Sequence, residues 1–373
     1  MIDLYTYRLP FKTPFQLANT SFSHRVGVLL HYHEGQCNAV TDIAPLPGFS
    51  EESTVDALIC LKDHLPAIHQ LLHSAIELRS LSAQIEELEL PASVEFGIST
   101  AGVAAIAHRR QLPIHRLLNC PLNRQIKVNA TIGLQETEEE LIGLITKYYK
   151  LGYRTLKLKC GNPPGFLPDV IRAVSHDFPK LVFRVDANRS WPAGRAKEYL
   201  ARLEELPIEY FEEPFAITGF DRYQKLQELT SIPLALDESV RTREQLDQVL
   251  ELPHIKILIL KPMLFGNILK LIETFHRHHT LINKSKTTDL NTDWVCTTGF
   301  ESGVGRRIIE TLTGMIGDPE RAHGLDTGRF FQSDLLPGRF GQAVCRPGSS
   351  TNWGVEFSDC NLKNLAHHQS YES

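Results

Sequence analysis

Thr155-Leu156-Lys157-Leu158-Lys159-Cys160 follows the turn signal at Gly152 and is stopped by Gly161-Asn162-Pro163-Pro164. The hexamer alternates polar and apolar residues. As a β-strand it sends Lys157 and Lys159 to one face and Leu156 and Leu158 to the other. Two readings compete. An edge strand would leave the lysine face in water. A strand of an α/β sheet is normally covered on both faces, and two adjacent ammonium groups there would repel each other and lose hydration. The neighbouring segments decide between them.

Downstream of Ile126 strands and helices alternate. Strands read at "IKVNATIG", "TLKLK", "VFRVDAN", "IEYFEEP", "PLALDES" and "IKILILKP". Helices read at "TEEELIGLITKYYKLG", "PGFLPDVIRAVSHDFP", "SWPAGRAKEYLARLEEL" (Ser190 near its cap), "DRYQKLQELTS", "TREQLDQVLEL" and "GNILKLIETFHRHH". Thr242 with Gln245 has the pattern of a capping box. The alternation predicts a parallel sheet. A polar residue ends each strand: Lys159, Asp186, Glu212, Asp237 and Lys261, at spacings of 27, 26, 25 and 24 residues. A doubly wound sheet uses one switch point and has no need of a charge at every strand end. A barrel does, because its strand ends converge on one mouth. The fold class expected is therefore α/β, a modified TIM (β/α) barrel. "WVCTT" serves as strand seven and "HGLDTG" as strand eight, and the polar stretch 282–293 reads as an inserted loop.

Upstream of the barrel, "MIDLYTYRLPF" and "RVGVLLHYHE" read as strands, and Glu34-Gly35 as a hairpin turn. Pro45, Pro47 and Gly48 force an irregular loop, whose Leu46 and Phe49 suit either ordinary packing against the core or a lid over an apolar substrate. Ser50 or Ser53 is placed to cap a helix. The Ala- and Gly-rich "PASVEFGISTAGVAAIAHRRQ" suits a closely packed one. The expected organisation is an α+β capping domain over 1–124, a barrel over 125–336 and a C-terminal segment, 337–373, that packs back on the cap.

Composition bounds the function classes. The 373 residues are 42% hydrophobic and 22% charged, with a formal net charge of −5. That balance describes a globular chain and gives no reason to expect a nucleic-acid partner. No apolar run reaches membrane-spanning length, and the first residues lack the apolar core of a signal peptide. Seven cysteines, an odd number without a C-x-x-C pair, suggest reduced thiols and a cytoplasmic location. Oligomeric state is not fixed by the sequence, and a homo-oligomer is compatible with it.

Asp186, Glu212 and Asp237 on successive strand ends would lie close together at a barrel mouth. Three such charges cannot share a low-dielectric site unneutralised. All-oxygen ligation with open positions suits Mg²⁺, with Mn²⁺ as a substitute. Lys157 and Lys159 flank this group on one side and Lys261 on the other. A lysine beside other cations and partly desolvated has a lowered pKa and acts as a general base. Metal plus lysine base is an arrangement for removing a proton α to a carboxylate, the metal stabilising the ene-diolate. The expected partner is thus a small carboxylate substrate.

K-x-K in "TLKLK", D-x-N in "RVDAN", "FEEP", "ALDES" and "LKP", in this order, resemble the muconate-lactonising-enzyme subgroup of the enolase superfamily. "APLPGFSEES", "TTGFESGVG" and "HGLDTGRFF" are similar to the o-succinylbenzoate synthase family within it. This resemblance implies Asp186, Glu212 and Asp237 as metal ligands. It implies Lys159 as the base taking the α-proton and Lys261 as the opposite lysine, stabilising the anionic intermediate. Lys157 would touch the substrate carboxylate and hold down the pKa of Lys159, and Asn188 lies near the metal. Thr297, Thr298, Gly299 and Ser302, with Phe49 of the lid, fall where the family binds substrate. The helix start at Glu301-Ser302 would favour an anion. The implied activity is Mg²⁺-dependent syn-dehydration to o-succinylbenzoate in menaquinone biosynthesis. The alternative is N-acylamino-acid racemisation or dipeptide epimerisation. Thr41-Asp42 replaces an expected Gly-Glu.

Other residues read as structural. Glu213 and Glu238 should point away from the mouth by strand alternation, and Cys160 should pack. His276, His278 and His279 read as a solvated last helical turn, and Arg306 and Arg307 as a solvated helix face.

Overall fold

The computed structural model describes residues 1–372, apart from 18–19, 217–218, 253–254, 286–291 and 338–340. The central part of the stretch read as an insertion lies outside the described residues.

The chain opens with three long strands, β1 (Ile2–Leu17), β2 (Thr20–Glu34) and β3 (Cys37–Ile43), paired antiparallel in order. Four helices follow: α1 (Thr54–Asp63), α2 (Leu65–Ser74), α3 (Leu78–Glu87) and α4 (Ala92–Arg109). Ser53 is the cap of α1, in a capping box with Asp56. α4 is buried along nearly its whole length because its small residues let it lie against β3. A Cβ at Gly97 would stand 2.3 Å from Cγ1 of Ile43, so only glycine permits that approach.

After a short α5 (Ile114–Leu117) the barrel begins. Its first segment, read as one strand, is two. β4 (Ile126–Lys127) pairs with a distant strand, and β5 (Ala130–Ile132) joins the barrel. The chain changes partners between them: Val128 N–H donates to Ala343 O and Asn129 N–H to His323 O. There follow α6 (Glu138–Lys150), β6 (Thr155–Lys159), α7 (Leu167–Asp177), β7 (Val182–Asp186), α8 (Ala196–Ala201) and β8 (Ile208–Glu212). Next are α9 (Asp221–Gln227), β9 (Leu234–Leu236), α10 (Arg243–Leu250), β10 (Ile257–Leu260), α11 (Ile268–Ser285), β11 (Asp293–Cys296) and α12 (Gly303–Ile316). The helix read from Ser190 is shorter than expected. Ser190 stays outside it, and a 3-10 turn at 193–195 precedes α8.

β5 to β11 form one seven-stranded parallel sheet in sequence order. The expected eighth strand is reduced to His323 and Gly324. These bridge Val128 on one side and Thr297 on the other, so hydrogen bonds still join the last strand to the first. Gly324 sits so close to Thr297 that a Cβ would meet its hydroxyl at 2.4 Å. The architecture is α/β, a modified (β/α) barrel beside a strand-rich N-terminal unit. β12 (Val344–Cys345) is the partner of β4. β13 (Leu365–Tyr371) pairs antiparallel with β1, so the chain's last strand completes its first sheet. No described helix is long and apolar enough to cross a membrane.

Candidate active site at the barrel mouth

β6 fills its outer face with Leu156 and Leu158, both buried under the helices, and turns Lys157 and Lys159 into the barrel. Parallel register then sets the site. Lys159 lies opposite Asp186, and Asp186 opposite Glu212. Asp237 and Lys261 each follow the last residue of their strands. All three carboxylates are buried, Glu212 completely.

The lysines are bound to these acids. Lys157 Nζ donates to Oε1 of Glu212 at 2.6 Å and lies 2.8 Å from Oδ2 of Asp186. Lys159 Nζ reaches the same Asp186 oxygen at 2.7 Å and Oδ1 of Asn188 at 2.5 Å. Lys261 Nζ bonds Asp237 and lies 4.6 Å above the Phe49 ring. The lid residue and the opposite lysine are therefore in contact.

The charges of this cluster are unequal. Burial alone would raise the Asp186 carboxyl, but Lys157 and Lys159 outweigh it and hold the group below the carboxylate range. Burial and the neighbouring Asp186 charge push Glu212 well above it. Burial would lower the Lys157 ammonium, yet Asp186 and Glu212 raise it. Lys157 is thus held charged, consistent with an electrostatic role beside Lys159. Oε2 of Glu212 is buried without a hydrogen-bond partner. An orphaned carboxylate oxygen among three buried acids fits a hard divalent cation with oxygen ligands.

Glu238 departs from expectation. β9 ends at Leu236, so strand alternation no longer governs it, and its side chain returns to the mouth. Asn188 Nδ2 donates to its Oε1 at 2.8 Å, while Oε2 is buried and unpartnered. Burial, then the charges of Asp237 and Asp186, push its carboxyl up to about 7. Asn188 therefore bridges Lys159 to Glu238. Glu213 does turn away: it accepts the N–H groups of Asp237 and Ser239 and pairs with Arg189.

The segment after β11 is also corrected. Ser302 is fully buried and caps α12; its N–H and hydroxyl both donate to Oδ2 of Asp42. Gly303 N–H donates to Asp334. The α12 N-terminus is thus occupied by the protein's own acids and is not open to a substrate anion. Gly299 N–H donates to Glu301, whose carboxyl burial pushes up to about 7. The Thr297 and Thr298 hydroxyls donate to Gly324 O. Thr297 keeps partial exposure, whereas Thr298 is buried. Asp42, set aside in the sequence, is the buried anchor of this region, accepting Tyr7 Oη–H as well.

Three further readings change. Arg306 is buried and bonds Glu301 O and Asp334. Arg307 lies 3.8 Å from Glu310. His278 is buried beside Trp294 and His276 is half-buried, while His279 is exposed as expected; α11 runs past all three, so they are not its last turn. Cys160 is buried, and burial pushes its thiol up to about 12, as suits packing. The sequence reading missed Arg184, fully buried inside the barrel on Glu209, Asn129 and the Tyr210 ring. Its position on the Lys157 face of the next strand was the available signal.

Residues 140–281 match the enolase C-terminal domain-like family, and residues 1–105 match the MenC N-terminal domain. Together these span more than half of the chain, and they meet at the carboxylate ladder and its lid. This chain belongs to the enolase superfamily. It is 26% identical to an o-succinylbenzoate synthase of Enterococcus faecalis, over 99% of this chain and 98% of that one. It is 32% identical to an o-succinylbenzoate synthase of Geobacillus kaustophilus, a match spanning 49% of this chain and 46% of that relative. The fold is that of the dipeptide epimerase of Enterococcus faecalis V583, solved with Mg and a dipeptide. The TM-score is 0.81 at 15% identity, covering 95% of this chain and 98% of that one.

Proposed function

We propose that this superfamily member is an o-succinylbenzoate synthase, a carbon-oxygen lyase. It would remove water from 2-succinyl-6-hydroxy-2,4-cyclohexadiene-1-carboxylate to give o-succinylbenzoate. The observation that carries the chemistry is Lys159 and Lys261 bonded to opposite members of one buried carboxylate group. The match of the cap to the MenC N-terminal domain favours dehydration.

Asp186, Glu212 and Asp237 would hold a divalent cation, which would supply positive charge for the substrate carboxylate and free the lysines from their present ion pairs. Lys159, as the neutral amine, takes the α-proton; Asn188 Oδ1 orients its Nζ. Lys157 and Lys261 remain charged and stabilise the negative charge that develops on the carboxylate oxygens. The C–O bond to the ring hydroxyl then breaks. Lys159 returns its proton to the departing oxygen, so water leaves and the ring becomes aromatic. Phe49 covers the mouth and excludes solvent.

A second reading is racemisation or epimerisation, which needs a base on each face of the α-carbon, and Lys159 with Lys261 offers both. Incubation with the cyclohexadiene carboxylate, and separately with N-succinyl amino acids in D₂O, tests the two. Dehydration should be fast, abolished by EDTA and lost in a folded Lys159→Ala variant. Turnover retained by Lys159→Ala removes that residue as the base. Deuterium entering both enantiomers of a succinyl amino acid at a matching rate replaces the single-activity reading by a dual one.

A further inference from the structure

The first sheet carries a second group of ligand-type side chains, far from the lysines in sequence and built on different strands. Asp3 of β1 lies directly opposite His31 of β2, and His33 follows two residues along the same face. Ligand atoms of the three lie within 4.8 Å of one another. Asp3 and His31 are buried, while His33 is 36% exposed and leaves a path from solvent.

The tautomer of His31 is the telling feature. Its ring is clamped between His33, at 4.6 Å, and Phe357, at 4.3 Å. Its Nε2 lies 2.8 Å from Oδ1 of Asn38. Asn38 is oriented by donating its Nδ2 to Glu356 at 2.9 Å, so the oxygen faces the ring. Nε2 must then carry the proton. That leaves Nδ1 a bare lone pair, buried and without a partner. Asn38 is on β3 and Asp3 on β1, on opposite flanks of β2, so Nδ1 is left on the Asp3 flank. A neutral imidazole whose other N–H is held by a carbonyl oxygen is the form that ligates metals.

We propose that Asp3, His31 and His33 form a binding site for a first-row transition cation of the zinc class, separate from the barrel mouth. Two imidazoles and a carboxylate suit Zn²⁺ and not Mg²⁺. His367 of β13 stands at the edge of the group, its Nε2 3.5 Å from Oδ1 of Asp3 and 3.0 Å from the Ser370 hydroxyl oxygen, so the fourth position of a tetrahedron is left to water. A tetrahedron with bonds of 2.0–2.1 Å has edges of about 3.4 Å, so the side chains need close in by little more than an ångström. Asp3 now pairs with His33 at 3.0 Å and accepts the Ser370 hydroxyl at 2.5 Å. The cation would take over the His33 contact. Its ligands come from β1 and β2, so it would staple the first two strands of the sheet together.

The test is calorimetric titration of Zn²⁺ into the EDTA-treated full chain, beside His31→Ala and His33→Ala. The stoichiometry should fall by one site in each variant, or the affinity of one site by at least about tenfold. Co²⁺ should give the visible absorption of a tetrahedral N/O site in the wild type and lose it in both. Zn²⁺ should also raise the melting temperature of the wild type more than that of either variant, because only the folded chain assembles the ligands. Stoichiometry, affinity and Co²⁺ spectrum identical across the three proteins would overturn the proposal. The partly exposed His33 keeps the test decisive if His31→Ala does not fold.

Discussion

Glu212 carries two opposed demands. Its full burial beside Asp186 disfavours its charge, while the cation binding proposed for it would require that charge. A raised carboxyl binds its proton more readily in the folded chain than in the unfolded one. The stability linked to that proton is full at low pH and lost as pH rises through the folded value. A neutral isostere escapes the loss. Glu212→Gln should therefore stabilise the EDTA-treated protein at pH 8, by something on the order of 1 kcal/mol in urea denaturation. The same change should weaken Mg²⁺ binding at least about tenfold by calorimetry. Unaltered Mg²⁺ affinity would remove Glu212 from the ligand set. The ladder Lys159, Asp186, Glu212 was legible in the sequence because one strand period fixes which side chains share a face. Asp42 was not, because its meaning depends on Ser302, 260 residues away. Glu238 was misread for a local reason: alternation was applied two residues beyond the end of its strand at Leu236.

At the scale of elements, the closing strand is reduced to the bridges of His323 and Gly324, and one of the hydrogen bonds that hold it depends on pH. His323 Nδ1 accepts Cys296 N–H at 3.0 Å, and its Nε2–H donates to Asp318 O at 3.0 Å. The first contact requires the neutral ring, because a protonated Nδ1 cannot accept; the second survives protonation of the ring. Burial pushes its pKa from 6.5 down to about 4, against the opposing effect of the Asp318 carbonyl. Because the folded value is depressed, its stability contribution is complete above about pH 6.5 and is lost as pH falls towards 4. That gap corresponds to roughly 3 kcal/mol. His323→Asn keeps an acceptor for Cys296 N–H and removes the titration. The wild type's stability advantage at pH 7 should shrink by up to that amount at pH 4, measured by urea midpoints. An advantage that stays constant with pH would show that the ring does not titrate with unfolding. The long periodic elements were readable from hydrophobic spacing. A strand of two residues has no period, and "HGLDTG" announced its place without its length.

On the scale of the whole molecule, the site belongs to neither half of the chain alone. The N-terminal unit contributes Phe49 above Lys261 and Asp42 beneath α12, and the barrel supplies the charged groups. Proline and glycine spacing revealed the lid loop, but nothing in the sequence showed what holds it down. Arg241 does: its Nη1 donates to Gly48 O at 3.0 Å, its guanidinium lies 4.7 Å from the Phe49 ring, and its Nε donates to Glu238 O. One side chain thus ties the lid to the loop after β9 that carries Asp237. On the function proposed above, substrate would enter past this loop, while the proton would move through lysines that Arg241 does not touch. Arg241→Gln should accordingly raise KM several-fold, on the order of 1 kcal/mol of lost binding, and leave kcat within about a factor of two. Its unfolding midpoint should stay near that of the wild type, because the arginine is partly exposed and its contacts are local. A fall in kcat at constant KM would instead place Arg241 in the chemical step, through the loop that carries Asp237 and Glu238.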